Sequence, residues 1–307
     1  MRISTYAMHQ NAIEALLRQQ AALSRTQLQV ATGRRILSPA DDPAAAVHIA
    51  ELERALAESA QFARNSDVAQ VRLSLTETAL ANAGETLQRI RELVVQANTA
   101  TLDEESRALI ATEVRERLDE LFDTANRKDA NGEYLFAGYS TSTQPFVRTD
   151  DGIVYVGDQG ARMLQIGPAQ RIQDGVNGQR VFLDVPQQDM FSTVQDVLDA
   201  LRTPLDSPEN REEVATRLGA ALTQLDRALD HLLTVRGEVG ARLSALERAA
   251  DARAELDLQL NELLSDLRDL DYAEAVSRMN RQLVGLEAAQ LSYARISQLS
   301  LFDYLRL

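Results

Sequence analysis

The chain has 307 residues, a hydrophobic share of 45%, a charged share of 25% and a formal net charge of -14. That length has room for two domains and an ample core, while the acidic balance excludes the basic stripe that nucleic acid requires and argues against an anionic membrane surface. Without cysteine there are no disulfides or thiolate metal sites, and with no tryptophan and only 5% aromatic residues the expected packing is helical, by leucine and alanine.

The first helix is predicted over about residues 5–32. Its seam is Ile13, Leu16, Gln20, Leu23, Gln27 and Val30, a three-four alternation diluted by glutamine. Nothing in residues 1–20 forms the apolar core of a conventional secretory signal. Gly33 suits the left-handed position that ends a helix. After a short link, Asp42 is placed to cap a second helix with Pro43 at its first position. That helix is expected to run to about residue 98 on Leu80, Ala83, Leu87, Ile90, Val94 and Ala97. Thr101 with Glu104 reads as a capping box for a third helix, carried by Ile110, Val114, Leu118 and Leu121 and fading near Asn131-Gly132.

Helix breakers then crowd together. Most of the 14 glycines lie between Gly132 and Gly178, and from Glu133 the apolar period changes to two. Ile153 and Tyr155 with Met163 and Gln165 bracket Gly157–Gly160, which predicts a hairpin, and Val181, Phe182 and Leu183 predict a further strand. Asp150-Asp151-Gly152 lacks the alternating ligands of a calcium loop and reads as a turn. Ser192 with Gln195 is a second capping-box candidate, for a short helix to Leu201. Ser207-Pro208 opens the longest helical stretch, with a seam from Leu218 to Leu246 interrupted at Arg236. The row Leu256, Leu260, Leu263, Leu267 and Leu270 leads into the last arm.

That arm repeats the opening pattern. Val276, Met279, Leu283, Leu286, Gln290 and Tyr293 keep the three-four spacing, and Leu301, Phe302 and Tyr304 carry the apolar character almost to residue 307. Two matched arms at opposite ends, both weak in apolar content, predict helices that pair with each other and assemble with other copies. Helices so diluted are marginal in isolation, so both arms are expected to be largely disordered in the free monomer and to fold only when neighbouring subunits bury them.

The fold class expected is mainly α with a β insertion, a long antiparallel helical bundle or coiled coil with a small β domain at its far end. The segments are an assembly helix and linker (1–42), two bundle halves (43–132 and 207–271), a β-rich insertion with a short helix (133–206) and a C-terminal assembly helix (272–307). The β segment, about residues 133–186, is expected to be dispensable for the bundle. His9, His48 and His231 are isolated, and no metal, nucleotide or nucleophile motif occurs. The sequence predicts no cofactor and no enzyme.

Four stretches carry a family resemblance: MRISTYAM (1–8), TGRRILSPADDP (32–43), NGEYLFAGYSTSTQPF (131–146) and ISQLSLFDYL (296–305). Together they resemble the bacterial flagellin superfamily, and the third and fourth resemble its hook–filament junction members more than flagellin. Ala40 departs from the serine common at that position. The resemblance implies a tubular assembly with the terminal arms on the inner wall and the insertion outward. It implies a fixed turn built from Gly33, Ser38, Pro39, Asp41, Asp42 and Pro43. It further implies hook-associated protein 1 and flagellin as partners, type III export without a cleaved signal, and an export chaperone similar to FlgN on the C-terminal arm. Flagellin itself remains an alternative reading, and the helical flanks alone would also suit a cytoplasmic coiled-coil adaptor.

Overall fold

The computed structural model describes residues 2–99, 103–150 and 152–305, with the side chains of all but 2–6, 8 and 296–305. The protein is mainly helical, with two small sheets between the helices, as the periodicities predict. The order is α1 (Arg2–Thr32), α2 (Pro43–Ala97), α3 (Glu104–Ala125), β1 (Phe146–Thr149), β2 (Gly152–Tyr155), β3 (Met163–Gln165), β4 (Arg171–Gln173), α4 (Met190–Arg202), α5 (Pro208–Arg268) and α6 (Tyr272–Leu305). Two compact units result, one of residues 1–58 and 255–307, the other of residues 59–254.

In the second unit, α2, α3, α4 and α5 share one apolar core. Leu73, Leu80, Ala83, Leu87, Ile90 and Val94 of α2 are fully buried, as are Leu218, Leu225 and Val239 of α5. Arg236, which breaks the apolar row of α5, pairs with Glu77 of α2 at 2.7 Å, and Arg91 pairs with Asp226 at 2.6 Å. The register of these pairs makes α2 and α5 antiparallel. Arg107 of α3 is buried and donates to the carbonyls of Ala200, Leu201 and Thr203, thereby capping the C-terminus of α4.

Helix starts obey capping chemistry, though not always at the expected residue. The Asp42 side chain accepts from Ala45 N at 3.0 Å and Ser207 Oγ from Asn210 N at 3.0 Å, both as predicted. The cap of α3 is Asp103, whose carboxylate accepts from Ser106 N at 2.9 Å, and Thr101 lies outside the described residues. The cap of α4 is Asp189, accepting from Ser192 N at 2.8 Å, so the helix begins before the expected box at Ser192. Helix α3 stops at Ala125, short of Asn131-Gly132, because Asn126 turns away to exchange hydrogen bonds with the backbone of Phe146.

The β pairing also differs from expectation. Strand β1 pairs antiparallel with β2, Val147 opposite Val154, and β3 pairs with β4, Leu164 opposite Ile172. The first pairing puts Asp150 in the hairpin turn, and Asp151 lies outside the described residues. Strands β2 and β3 are not partners, because the segment between them packs on 137–139 instead. Asp158 N donates to Ala137 O at 3.0 Å, and a Cβ on Gly138, at φ +67°, would lie 2.0 Å from Asp158 O. The strand expected at Val181–Leu183 is a turn of π-helix, Gln179–Leu183, closed by Asp184 N on Gln179 O at 3.0 Å. It buries the consecutive residues Val181 and Phe182 completely.

The insertion is no detachable appendage. Phe136, Phe146, Phe182 and Phe191 form a ring cluster with centroids 5.4–5.7 Å apart, continuous with the helical core. Arg72 of α2, nearly buried, reaches Glu133 at 3.2 Å, Asp129 at 3.5 Å and the Tyr134 carbonyl at 3.0 Å. The expectation that residues 133–186 are dispensable for the bundle therefore conflicts with the packing. Phe182→Ala should cost the second unit about 3–5 kcal/mol, the usual range for emptying a buried phenylalanine site. Urea unfolding followed by helical circular dichroism checks it, and a midpoint unmoved by the substitution would contradict a shared core.

Candidate assembly surface

In the first unit α1 and α6 lie antiparallel. His9 meets Tyr293 edge to face at 5.8 Å, Gln19 approaches Gly285, and Gly33 approaches Tyr272. The shared face follows the half-buried and buried positions Ala12, Leu16, Gln19, Leu23, Thr26, Gln29 and Val30 on α1. On α6 it follows Ala275, Met279, Gln282, Gly285, Leu286, Ala289 and Tyr293. Of the predicted assembly residues, Leu16, Leu23, Val30, Met279, Leu286 and Tyr293 fall on this face. Ile13, Val276 and Leu283 are exposed, and so are Gln20, Gln27 and Gln290, which the sequence places in the seam. The side chains of Leu301, Phe302 and Tyr304 lie outside the described residues.

The seam is thus turned about one position from the predicted one. Leu16, Leu23, Met279, Leu286 and Tyr293 close the pair together with small and polar groups, and other bulky apolar side chains are left outside. Ile13, Leu17 and Leu28 share one outward face of α1, Leu17 being 60% exposed. Val276, Leu283, Val284 and Leu291 share one of α6, Val284 being 66% exposed. Exposed bulky apolar side chains gathered on one side of each helix make this face the candidate interaction surface. Periodicity alone could not phase this seam, because both α1 and α6 carry leucine or valine on two sides.

Residues 33–42 fix how the arm is joined to α2 and α5. Gly33 has φ +69°, and a Cβ there would lie 2.8 Å from Tyr272 Oη. Leu270 N donates to Gly33 O at 2.9 Å and Arg35 N to Arg268 O at 2.7 Å, so the two ends of the chain are tied backbone to backbone. Gln29 Nε2 donates to Arg35 O at 2.6 Å. Asp41 accepts from Leu37 N at 2.9 Å and Ser38 N at 3.1 Å and pairs with Arg25 at 2.6 Å. The bond from Leu37 holds the Asp41 carboxyl below the usual carboxylate range. Desolvation opposes that, and Ser38 and Arg25 act in the same direction as Leu37. Ser38 and Pro39 are exposed, and Pro43 is the first residue of α2. The predicted turn residues are therefore together in one link.

Among the described residues no group of three His, Cys, Asp or Glu could hold a metal ion, and no helix is long and apolar enough to cross a membrane. His48 pairs with Glu51 at 3.4 Å, and His231 Nε2 lies 2.7 Å from the Arg180 carbonyl.

The model of the bacterial flagellin N-terminal helical region matches residues 3–141, and that of the C-terminal helical region matches residues 222–305. Flagellar hook-associated protein 3 of Escherichia coli (strain K12) is 30% identical over 99% of both chains, and that of Salmonella typhimurium matches equally. This chain belongs to the flagellin family, as a homologue of flagellar hook-associated protein 3. Flagellin of Bacillus subtilis is 24% identical over 97% of both chains. A solved structure of hook-associated protein-3 from Legionella pneumophila aligns over 71% of this chain and 98% of its own, with TM-score 0.68 and 23% identity, and shares the fold.

Two predictions test this geometry. Gly285→Ala should stabilise the protein by about 0.5–1 kcal/mol, since alanine favours helix and the atom it meets is the movable end of Gln19. A lower melting temperature would place a rigid contact there. A carboxyl depressed in the folded state stabilises above its unfolded value, about 3.9, and that contribution is lost as pH falls through the folded value. Protection of the Leu37 and Ser38 amides, their exchange compared with the intrinsic rate at the same pH, should therefore fall on acidification through the folded value. In Asp41→Asn exchange should already be fast at neutral pH; unchanged exchange in that variant would detach Asp41 from the link.

Proposed function

We propose that the chain is a structural subunit of the bacterial flagellum, without catalytic activity, that joins the hook to the filament through its terminal helices. The observation that carries this is the outward apolar face of the α1–α6 pair, which nothing described in the chain covers. Hook-associated protein 1 on one side and flagellin on the other are the partners assigned, with self-association into a ring or tube. Export without a cleaved signal, with a chaperone similar to FlgN on the C-terminal arm, belongs to the same reading. Ile13, Leu16, Leu23, Val30, Val276, Met279, Leu283, Leu286 and Tyr293 serve the assembly, the exposed members by contact between subunits and the others by forming the pair. Leu301, Phe302 and Tyr304 extend that role to the end of α6. Match length supports the junction over the filament: hook-associated protein 3 matches end to end, whereas Escherichia coli flagellin matches 38% of this chain and 24% of its own. The end-to-end likeness to Bacillus subtilis flagellin keeps the filament subunit as the second reading.

Immunogold label should fall at one band between hook and filament, whereas label along the filament would select flagellin. Leu17→Glu combined with Val284→Glu should leave the monomer's melting temperature within about 0.5 kcal/mol equivalent, because both side chains are exposed, and should abolish incorporation. Normal incorporation of that variant would remove the outward face from the assembly.

A further inference from the structure

The sequence contains two Asn-Gly pairs, and the structure gives them opposite surroundings. Asn-Gly is the dipeptide in which a side-chain amide is most open to attack by the next backbone nitrogen, since glycine has no side chain to obstruct ring closure. Asn177-Gly178 is held. Asn177 Nδ2 donates to Asp158 O at 3.0 Å, and its Oδ1 accepts from Gln179 N at 2.7 Å. The attacking group, Gly178 N, donates to Phe136 O at 2.9 Å, and Gly178 is buried against Phe136 and Phe146. Asn131-Gly132 is open. Both residues are exposed, no hydrogen bond engages the Asn131 side chain, and nothing lies within 4 Å of a Cβ built on Gly132. Gly132 N has one bond, to Asp129 O at 3.1 Å, in a solvent-facing turn that opens locally.

We infer that Asn131 is a site of spontaneous deamidation. Gly132 N gives up its proton to base and attacks Asn131 Cγ. The N–Cγ bond forms, the Cγ–Nδ2 bond breaks, and the nitrogen leaves as ammonia after taking a proton from water. Water then opens the succinimide at either carbonyl, leaving aspartate or isoaspartate. The position gives the product a consequence. Asp129 Oδ1 accepts from Asn131 N at 2.8 Å and Glu133 N at 3.0 Å, and Asp129 N donates to Glu133 O at 2.8 Å. Isoaspartate adds a backbone carbon inside that loop, whose two carboxylates, Asp129 and Glu133, face Arg72. Ageing at Asn131 therefore loosens the clamp between α2 and the insertion.

The full-length protein is incubated in warm, mildly alkaline buffer, digested and mapped by mass spectrometry, with isoaspartate detected by enzymatic methyl transfer. The peptide containing Asn131 should gain the mass difference between amide and acid roughly tenfold or more faster than the one containing Asn177, whose ring closure must first break buried hydrogen bonds. In urea the two rates should converge, and Asn131→Gln should remove the signal with unchanged circular dichroism. Equal rates in the folded protein, or an Asn131 that reacts only when unfolded, would overturn the inference.

Discussion

The two ends of a long chain are held together by three consecutive residues on each side. The backbone of Gly33–Arg35 pairs with that of Arg268–Leu270, at the point where α1 ends and α6 is about to begin. Main-chain bonds of this kind fix register as well as proximity, and that register is what brings Gln19 to Gly285 about four turns further on and His9 to Tyr293 more than six turns further on. The left-handed Gly33 is required because the turn must reverse within one residue beneath Tyr272. With the register set, Leu16, Leu23, Met279 and Leu286 fall on the shared face beside small and polar residues, and Leu17, Leu28, Val284 and Leu291 fall outside.

The second unit is held by different physics. Its helices are seamed by fully buried leucine, isoleucine and valine, and charge enters only where it is answered: Arg236 by Glu77, Arg107 by the carbonyls ending α4, Arg72 by Asp129 and Glu133. Pairing offsets part of the desolvation cost of a buried guanidinium, although Arg107 Nε and Glu77 Oε2 have no partner among the described residues. The second unit closes one continuous apolar core. The first unit buries Leu23 and exposes Leu17, Leu28, Val284 and Leu291.

Much of this was legible in the residues. Helix boundaries at Gly33, Pro43 and Pro208, the β insertion and the turn at Asp150 follow from backbone chemistry that acts locally. What could not be read depended on distant partners. Asn126 ends α3 because Phe146 O and N are there to bind it, and the glycines at 157–160 serve close approach to 137–139 instead of a hairpin turn. The phase of the α1–α6 seam was invisible for a related reason: helices with two apolar sides carry two candidate seams, and only the partner selects one. The aromatic cluster was likewise hidden, since Phe136, Phe146, Phe182 and Phe191 are scattered over dozens of residues and meet only through tertiary folding.

The outward stripes of α1 and α6 differ in residues, one carrying isoleucine and leucine, the other valine and leucine in equal number. A two-fold dimer brings a patch against its own copy and stops there. A contact that sets the α1 stripe of one copy against the α6 stripe of the next leaves the opposite stripe free at each end, so every addition creates the site for another. Growth of that kind has direction, and it ends only when the rotation between neighbours closes a circle or when a different chain presents the complementary stripe. On the assembly reading proposed above, exposed stripes on both α1 and α6 would give each copy a leading and a trailing side fixed by the order of its own residues.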